Sequence, residues 1–256
     1  MKLERRYVEK PWGRTELPPM FDAPEGKRIG EVWFTGAGEQ PLLAKYLFTS
    51  ERLSIQVHPN DEQARARGLS HGKSECWCVI DAKPGATLGL GLKRSLSAGE
   101  LRASALDGSI EELIDWRPVE AGDFFMVPAG TIHAVGGGIS LIEFQRNSDV
   151  TYRLYDYGRP RELHLDDALA VAAREPYSGS LAQRLSSGDE RTLVDGPHFT
   201  LVHSRRDLLT DRRRWVIPLD GSGCSNGETA RTGDCLLLEP GDRLEVNGRM
   251  LIGATA

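Results

Sequence analysis

Four side chains have the types and spacing to hold a cation between them: Gln56, His58, Glu75 and His133. In Leu53-Ser-Ile-Gln-Val-His58 the two-residue period of a strand sends Ser54, Gln56 and His58 to one face and Leu53, Ile55 and Val57 to the other. Polar side chains turned inward are costly unless something satisfies them, and a cation held by an amide oxygen and an imidazole would do so. Read singly, the same run suits an exposed amphipathic strand equally well. Glu75 opens a later run in which alternation groups it with Trp77 and Val79, opposite Cys76 and Cys78. On its own such a glutamate is ordinarily a surface residue at a strand edge. The segment Gly122-x5-Pro128-x-Gly130-x2-His133 ends a strand at the proline, reverses the chain through Pro-Ala-Gly and returns an imidazole to the interior. Together the four positions offer one amide, two imidazoles and one carboxylate, a mixed nitrogen and oxygen set suited to one Zn2+ or another first-row divalent ion.

These residues need strands to position them. Short apolar runs recur at 32–35, 42–48, 53–57, 76–80, 124–127, 139–144, 214–219 and 235–239, with Gly, Pro and Ser breaks between them. That pattern predicts an all-β chain of sandwich or jelly-roll type. Helices are expected to be few and short. Ser97 with Glu100 and Ser109 with Glu112 have capping-box spacing, so two helices should form an insertion between strands. A third is expected at 166–174, followed by a polar linker at 178–189. The segment 233–241 echoes 122–130, Gly-Asp followed by apolar residues, Pro and Gly, but no histidine follows Pro240. The expectation is a metal-binding domain at 1–165, a helix and linker at 166–190, and a smaller, degenerate barrel without metal at 191–256.

Composition narrows the classes of function. The 256 residues carry a net charge of −5 with no basic stripe, which argues against a nucleic-acid partner. Hydrophobic residues at 39% and charged residues at 27% are ordinary for a soluble globular protein. The charged segment 1–10 lacks the apolar run of a signal peptide, and no stretch is long and apolar enough for a membrane helix, so a cytoplasmic protein without a membrane partner is expected. Cys76, Cys78, Cys224 and Cys235 show no zinc spacing and are read as reduced packing residues.

The motifs also carry a family resemblance. The 122–133 segment resembles the second cupin motif, and Gln56-Val-His58 stands where many cupins have His-x-His. That substitution, with the glutamate arriving after an insertion at 59–74, resembles the type I mannose-6-phosphate isomerases of the cupin superfamily. Lys10-Pro-Trp-Gly13, Ile29-Gly-Glu-Val-Trp33, Gly72-Lys-Ser-Glu75 and the segment 147–156 extend the resemblance over most of the first two thirds of the chain. It implies a cupin-type jelly-roll barrel followed by a second cupin-like one, and a zinc-dependent aldose–ketose isomerase acting on a small sugar phosphate. In that reading Gln56, His58, Glu75 and His133 are the metal ligands. Arg153, Lys73, Glu143 and Asp149 match catalytic positions, and Ser54, Lys45, Lys73 and Arg153 match the sugar-phosphate pocket. A monomer or weak homodimer is expected. The alternative is a cupin that keeps the metal and binds or senses a sugar phosphate without turning it over.

Overall fold

The computed structural model describes residues 1–36, 38, 40–186, 188 and 190–256. The fold is all-β. Among the described residues there are twenty strands, four α-helices of at most 10 residues, and one 3-10 turn. Contacts divide the chain into two compact units: Met1–Phe48 with Leu141–Asn147 and Gln183–Ala256, and Thr49–Ser140 with Ser148–Ala182.

The first unit is made from both ends of the chain. Glu4–Arg14 pairs antiparallel with Ile29–Thr35, which pairs with Leu42–Phe48. All seven positions of Leu42–Phe48 are buried, Lys45 included, so this strand is covered on both faces. The C-terminal residues form a five-stranded sheet ordered Arg191–Asp195, Phe199–Ser204, Met250–Thr255, Arg214–Pro218 and Leu236–Leu238, and a three-stranded one centred on Ser222–Ser225. Val202, Val216, Leu236, Leu238 and Ile252 fill the core of this part. Main-chain bonds from Leu3 to Cys235 and from Leu237 to Met1 tie the chain's start to this sheet. The four cysteines are free thiols; burial pushes that of Cys235 far above its ordinary range.

The second unit carries the predicted ligands. Its five-stranded sheet runs in the order Tyr152–Tyr155, Ile55–Val57, His133–Val135, Thr87–Leu92 and Ile114–Pro118. Glu75–Ala82 pairs separately with Asp123–Val127, Glu75 opposite Val127. Helices Ala98–Asp107 and Leu165–Val171 pack on Ile55, Val57, Ile132 and Leu154, closing one apolar core.

The sequence echo between 122–130 and 233–241 is a reused turn. At Gly122-Asp123 and at Gly233-Asp234 the glycine has φ of +93°, a conformation open to a residue without Cβ. The following aspartate then closes the turn on the residue three before it: Asp123 accepts from the Glu120 amide at 2.8 Å, and Asp234 from the Arg231 amide at 3.0 Å. Gly241-Asp242 builds the same turn on Glu239.

Helix starts match the sequence only in part. Ser97 and Glu100 form a reciprocal capping box. Ser109 does not: it sits in helical conformation before a four-residue helix, Ile110–Leu113, and makes no side-chain cap. Left-handed Gly108 ends the preceding helix immediately before it, and Asp107 accepts the Ser109 amide instead, at 2.9 Å. The helix expected at 166–174 spans Leu165–Val171, because Ala172 turns extended and the Ala173 amide donates to Gly130 O at 2.7 Å. Within the expected linker, Gly179–Leu181 forms a 3-10 turn and Ala182–Arg184 a short strand; Ser187 and Asp189 lie outside the described residues. A helix that the sequence reading overlooked, Asp61–Arg65, is capped by Asn60 and Gln63.

The two serines should therefore respond differently. Ser97→Ala is expected to destabilise the fold by about 1 kcal/mol and Ser109→Ala to be near neutral, as measured by urea denaturation at pH 7. The box holds the Glu100 carboxyl down at about 2, so its contribution is full above the ordinary carboxylate range and fades as pH falls toward 2.

Candidate metal centre

The second unit brings His58, Glu75 and His133 to one point. All three are buried, and their ligating atoms lie within 4.8 Å of one another. His133 Nε2 stands 3.4 Å from Glu75 Oε1 and His58 Nε2 stands 3.5 Å from Glu75 Oε2. Each imidazole is oriented from behind by a main-chain carbonyl: His58 Nδ1 lies 2.8 Å from Val150 O and His133 Nδ1 2.8 Å from Thr131 O. A carbonyl only accepts, so both Nδ1 atoms carry hydrogen and both rings turn Nε2 toward the carboxylate.

The loops around this point are knitted together by main chain. The His58 carbonyl accepts from the Gly130 amide at 2.8 Å, which joins the first histidine to the Pro-Ala-Gly turn that delivers the second. The Pro59 carbonyl accepts from the Lys73 amide at 3.0 Å, and Asp61 Oδ1 from the Gly72 amide at 2.9 Å. The insertion at 59–74 is thus clasped at its two ends, with helix Asp61–Arg65 inside it. Gly72 permits the clasp, since a Cβ there would lie 2.3 Å from Pro59 O.

Gln56 pairs in register with His133 on one side and with Arg153 on the other, so all three belong to one row across the sheet. Its Nε2 faces His133 Nε2 at 3.3 Å while Oε1 accepts from Ser54 Oγ at 3.0 Å. Half a turn about the last side-chain bond would present the amide oxygen to the histidines, and the Ser54 hydroxyl can accept as readily as donate. Lys73 is buried with Nζ 3.3 Å from Glu75 Oε2.

The donor set fits a divalent ion. Glu75 is 1% exposed and its Oε2 makes no hydrogen bond among the described residues, although Lys73 and His58 stand near it. Two imidazoles and a carboxylate converging on one point is the environment a divalent cation completes.

Of the remaining predicted residues, Arg153 and Asp149 belong to the second unit and Lys45 and Glu143 to the first. Arg153 is half-buried; its Nε donates to Glu162 O at 2.8 Å, and burial, followed by the charge of Arg161, holds its guanidinium below the ordinary arginine range. In the first unit Lys45 Nζ lies 3.3 Å from Glu143 and 3.7 Å from Glu31, all three buried, so the lysine is no solvated surface cation. Glu31, quoted in a motif without a role, also lies 3.5 Å from Lys10 and accepts from Trp33 Nε1 at 2.7 Å. Asp149 is exposed and makes no ion pair among the described residues. No other group of three or more His, Cys, Asp or Glu side chains that could hold a metal occurs among the described residues.

An all-β cupin fold with a triad able to hold a metal ion is therefore the class that these features define. The chain belongs to the mannose-6-phosphate isomerase family. It is 36% identical over 222 residues, 78% of this chain and 70% of the relative, to YvyI of Bacillus subtilis (strain 168), which bears the mannose-6-phosphate isomerase name. It is 45% identical over 206 residues to mannose-6-phosphate isomerase ManA of the same organism, covering 64% of this chain and 65% of the relative. With the mannose-6-phosphate isomerase of Streptococcus mutans serotype c the match is 41% over 169 residues, 63% of this chain and 53% of that one. The chain thus spans between about half and two thirds of the length of these last two curated relatives. Among solved structures, a Bacillus subtilis mannose 6-phosphate isomerase superposes with a TM-score of 0.82 at 28% identity over 98% of both chains. A Salmonella typhimurium phosphomannose isomerase shares the fold at 15% identity, with a TM-score of 0.75, over 99% of this chain and 98% of that one. No family model matches the chain. Among the described residues no helix is long and apolar enough to cross a membrane.

Proposed function

We propose that this chain interconverts mannose 6-phosphate and fructose 6-phosphate through an enediol, with one Zn2+ held by Gln56, His58, Glu75 and His133. The observation that carries the reading is the convergence of His58 Nε2 and His133 Nε2 on the buried Glu75 carboxylate, each ring fixed by a main-chain carbonyl. When bound, such an ion supplies Lewis acidity toward the carbonyl and hydroxyl oxygens of the substrate.

The chain's own residues supply the rest. Arg153, in register with Gln56, stabilises negative charge developing on the enediol oxygens. Ser54, Lys45, Lys73 and Arg153 are assigned to the sugar phosphate as hydroxyl and charged donors. Proton transfer between the adjacent carbons falls to Lys73, Glu143 or Asp149. Lys73 is buried beside the ligand carboxylate, Glu143 is buried against Lys45, and Asp149 is exposed. Separate Lys73→Met, Glu143→Gln and Asp149→Asn substitutions rank them, and near-normal turnover in all three would remove the whole set. The protein is proposed to act in the cytoplasm as a monomer or weak homodimer.

The deciding experiment incubates metal-replete protein with mannose 6-phosphate and follows fructose 6-phosphate. Product that disappears on chelation and returns with zinc supports the proposal. No product from metal-replete protein would leave a sugar-phosphate-binding cupin in its place.

A further inference from the structure

Beyond the Tyr152–Tyr155 strand runs a loop gathered around one buried carboxylate. Asp156 is 2% exposed and accepts two bonds from Arg161, from Nε at 2.6 Å and Nη2 at 2.7 Å, with a third from Arg159 Nη1 at 3.1 Å. A buried carboxylate with two arginines, one of them bidentate, is a strong and directional anchor. The backbone between them is forced into a tight reversal. Tyr157 has φ of +56° and Gly158 of +76°, while the Arg159 amide donates to Asp156 O at 3.0 Å. A tyrosine in the left-handed region costs about 1 kcal/mol or more and persists only where its surroundings impose it. Arg159 secures the loop from outside, donating to Arg52 O and lying over the Tyr157 ring at 5.5 Å.

The far end of the loop returns to Arg153. Glu162 O accepts from Arg153 Nε at 2.8 Å. The His164 amide donates to Arg153 O at 2.8 Å, and His164 Nδ1 accepts from the Arg153 amide at 3.3 Å. Arg153 is thereby held by both its main chain and its side chain, and its guanidinium makes no other hydrogen bond among the described residues. A guanidinium tethered through Nε alone keeps both Nη groups in a fixed fork for another acceptor.

We infer that Asp156 is a positioning residue: by pairing with Arg159 and Arg161 it shapes the 156–164 loop so that the Glu162 carbonyl fixes the Arg153 guanidinium. The consequence for turnover rests on the isomerase reading above; the tether itself does not. Charge points the same way. Arg161 disfavours the Arg153 cation while Asp156 and, after it, Glu162 favour it, so removing the Asp156 carboxylate would leave Arg161 opposed by the lesser of the two countercharges.

Two substitutions outside the proposed catalytic and binding set test this: Asp156→Asn, and Arg161→Gln, which leaves Asp156 paired with Arg159 if the first variant does not fold. Steady-state kinetics are read on the zinc-loaded protein together with the Arg153 Nε–H resonance in 15N NMR spectra, assigned by its loss in Arg153→Lys. The expected result is a kcat lowered about 10- to 100-fold with KM changed less than about threefold, as a misplaced charge-stabilising group produces. The Arg153 Nε–H signal should shift and exchange faster with solvent, and Asp156→Glu should restore part of both. A variant that keeps kcat within about twofold, or loses it while the Nε–H signal stays in place, overturns the inference. If the zinc-loaded wild type yields no product, the isomerase reading fails, and the Nε–H signal alone decides the tether: moved in the variants it stands, unmoved it falls.

Discussion

His133→Ala should purify without its metal ion and turn over mannose 6-phosphate at least about 10²-fold more slowly than the parent, more than the loss of an outer-shell partner usually costs. The imidazole is 1% exposed, packs edge-on against Trp77 with ring centroids 5.4 Å apart, and contributes one of the two Nε2 atoms facing Glu75. Removing it leaves one imidazole, one carboxylate and one amide, too few to retain a first-row ion through dialysis. The cavity left beside Trp77 adds a loss of about 2–4 kcal/mol, so stability must be read alongside activity. Elemental analysis after dialysis, a thermal melt and the fructose 6-phosphate assay separate the effects. A folded His133→Ala protein with one metal ion per chain and unimpaired turnover would remove His133 from the centre.

The grouping of His58, Glu75 and His133 was legible in the sequence because the signals for these residues are local. Alternation in 53–58 groups Ser54, Gln56 and His58, and the structure buries Ser54 and His58 while Gln56 stays partly covered. The Pro-Ala-Gly turn at 128–130 gives His133 a reason to point inward, and Glu75 proves buried where an isolated strand-edge glutamate would be exposed. What orients these side chains is not local. Val150 O and Thr131 O are main-chain atoms, and any residue type would supply them. The row Arg153, Gln56, His133 depends on the register of strands far apart in the chain, which alternation within each strand does not specify. Glu31 likewise acquires its place between Lys10 and Lys45 only when three strands pair. The Ser109 mismatch has a different origin: spacing identifies a capping box, but Ser109, following left-handed Gly108, is itself in helical conformation and lacks the extended backbone from which a side chain caps. The Asn60 and Gln63 box was equally legible and was hidden by the brevity of its helix.

Lys73→Met should slow turnover and at the same time tighten metal binding. Lys73 and Glu75 are 7% and 1% exposed, with Nζ 3.3 Å from Oε2. Removing one partner of a buried ion pair leaves the other charge uncompensated, at a cost of about 3–5 kcal/mol. In the metal-free protein Lys73 is the fixed cation beside Glu75 Oε2, since the two histidines there, donating through Nδ1 to carbonyls, supply a charge only by taking up a proton at Nε2. In the loaded protein an ion held by the same donors would supply the countercharge. The substitution therefore destabilises the metal-free state more than the loaded one, and linkage requires metal affinity to rise by that difference, about tenfold for each 1.4 kcal/mol. The gap in melting temperature between loaded and metal-free protein should widen in the variant, and competition with a chromogenic chelator should report the tighter binding. Turnover falls for a separate reason, the loss of a cation assigned to the sugar phosphate and to proton transfer. Equal destabilisation of the two states, with unchanged affinity, would mean that Lys73 does not serve Glu75 as its countercharge, and that the buried pair is a contact of geometry alone.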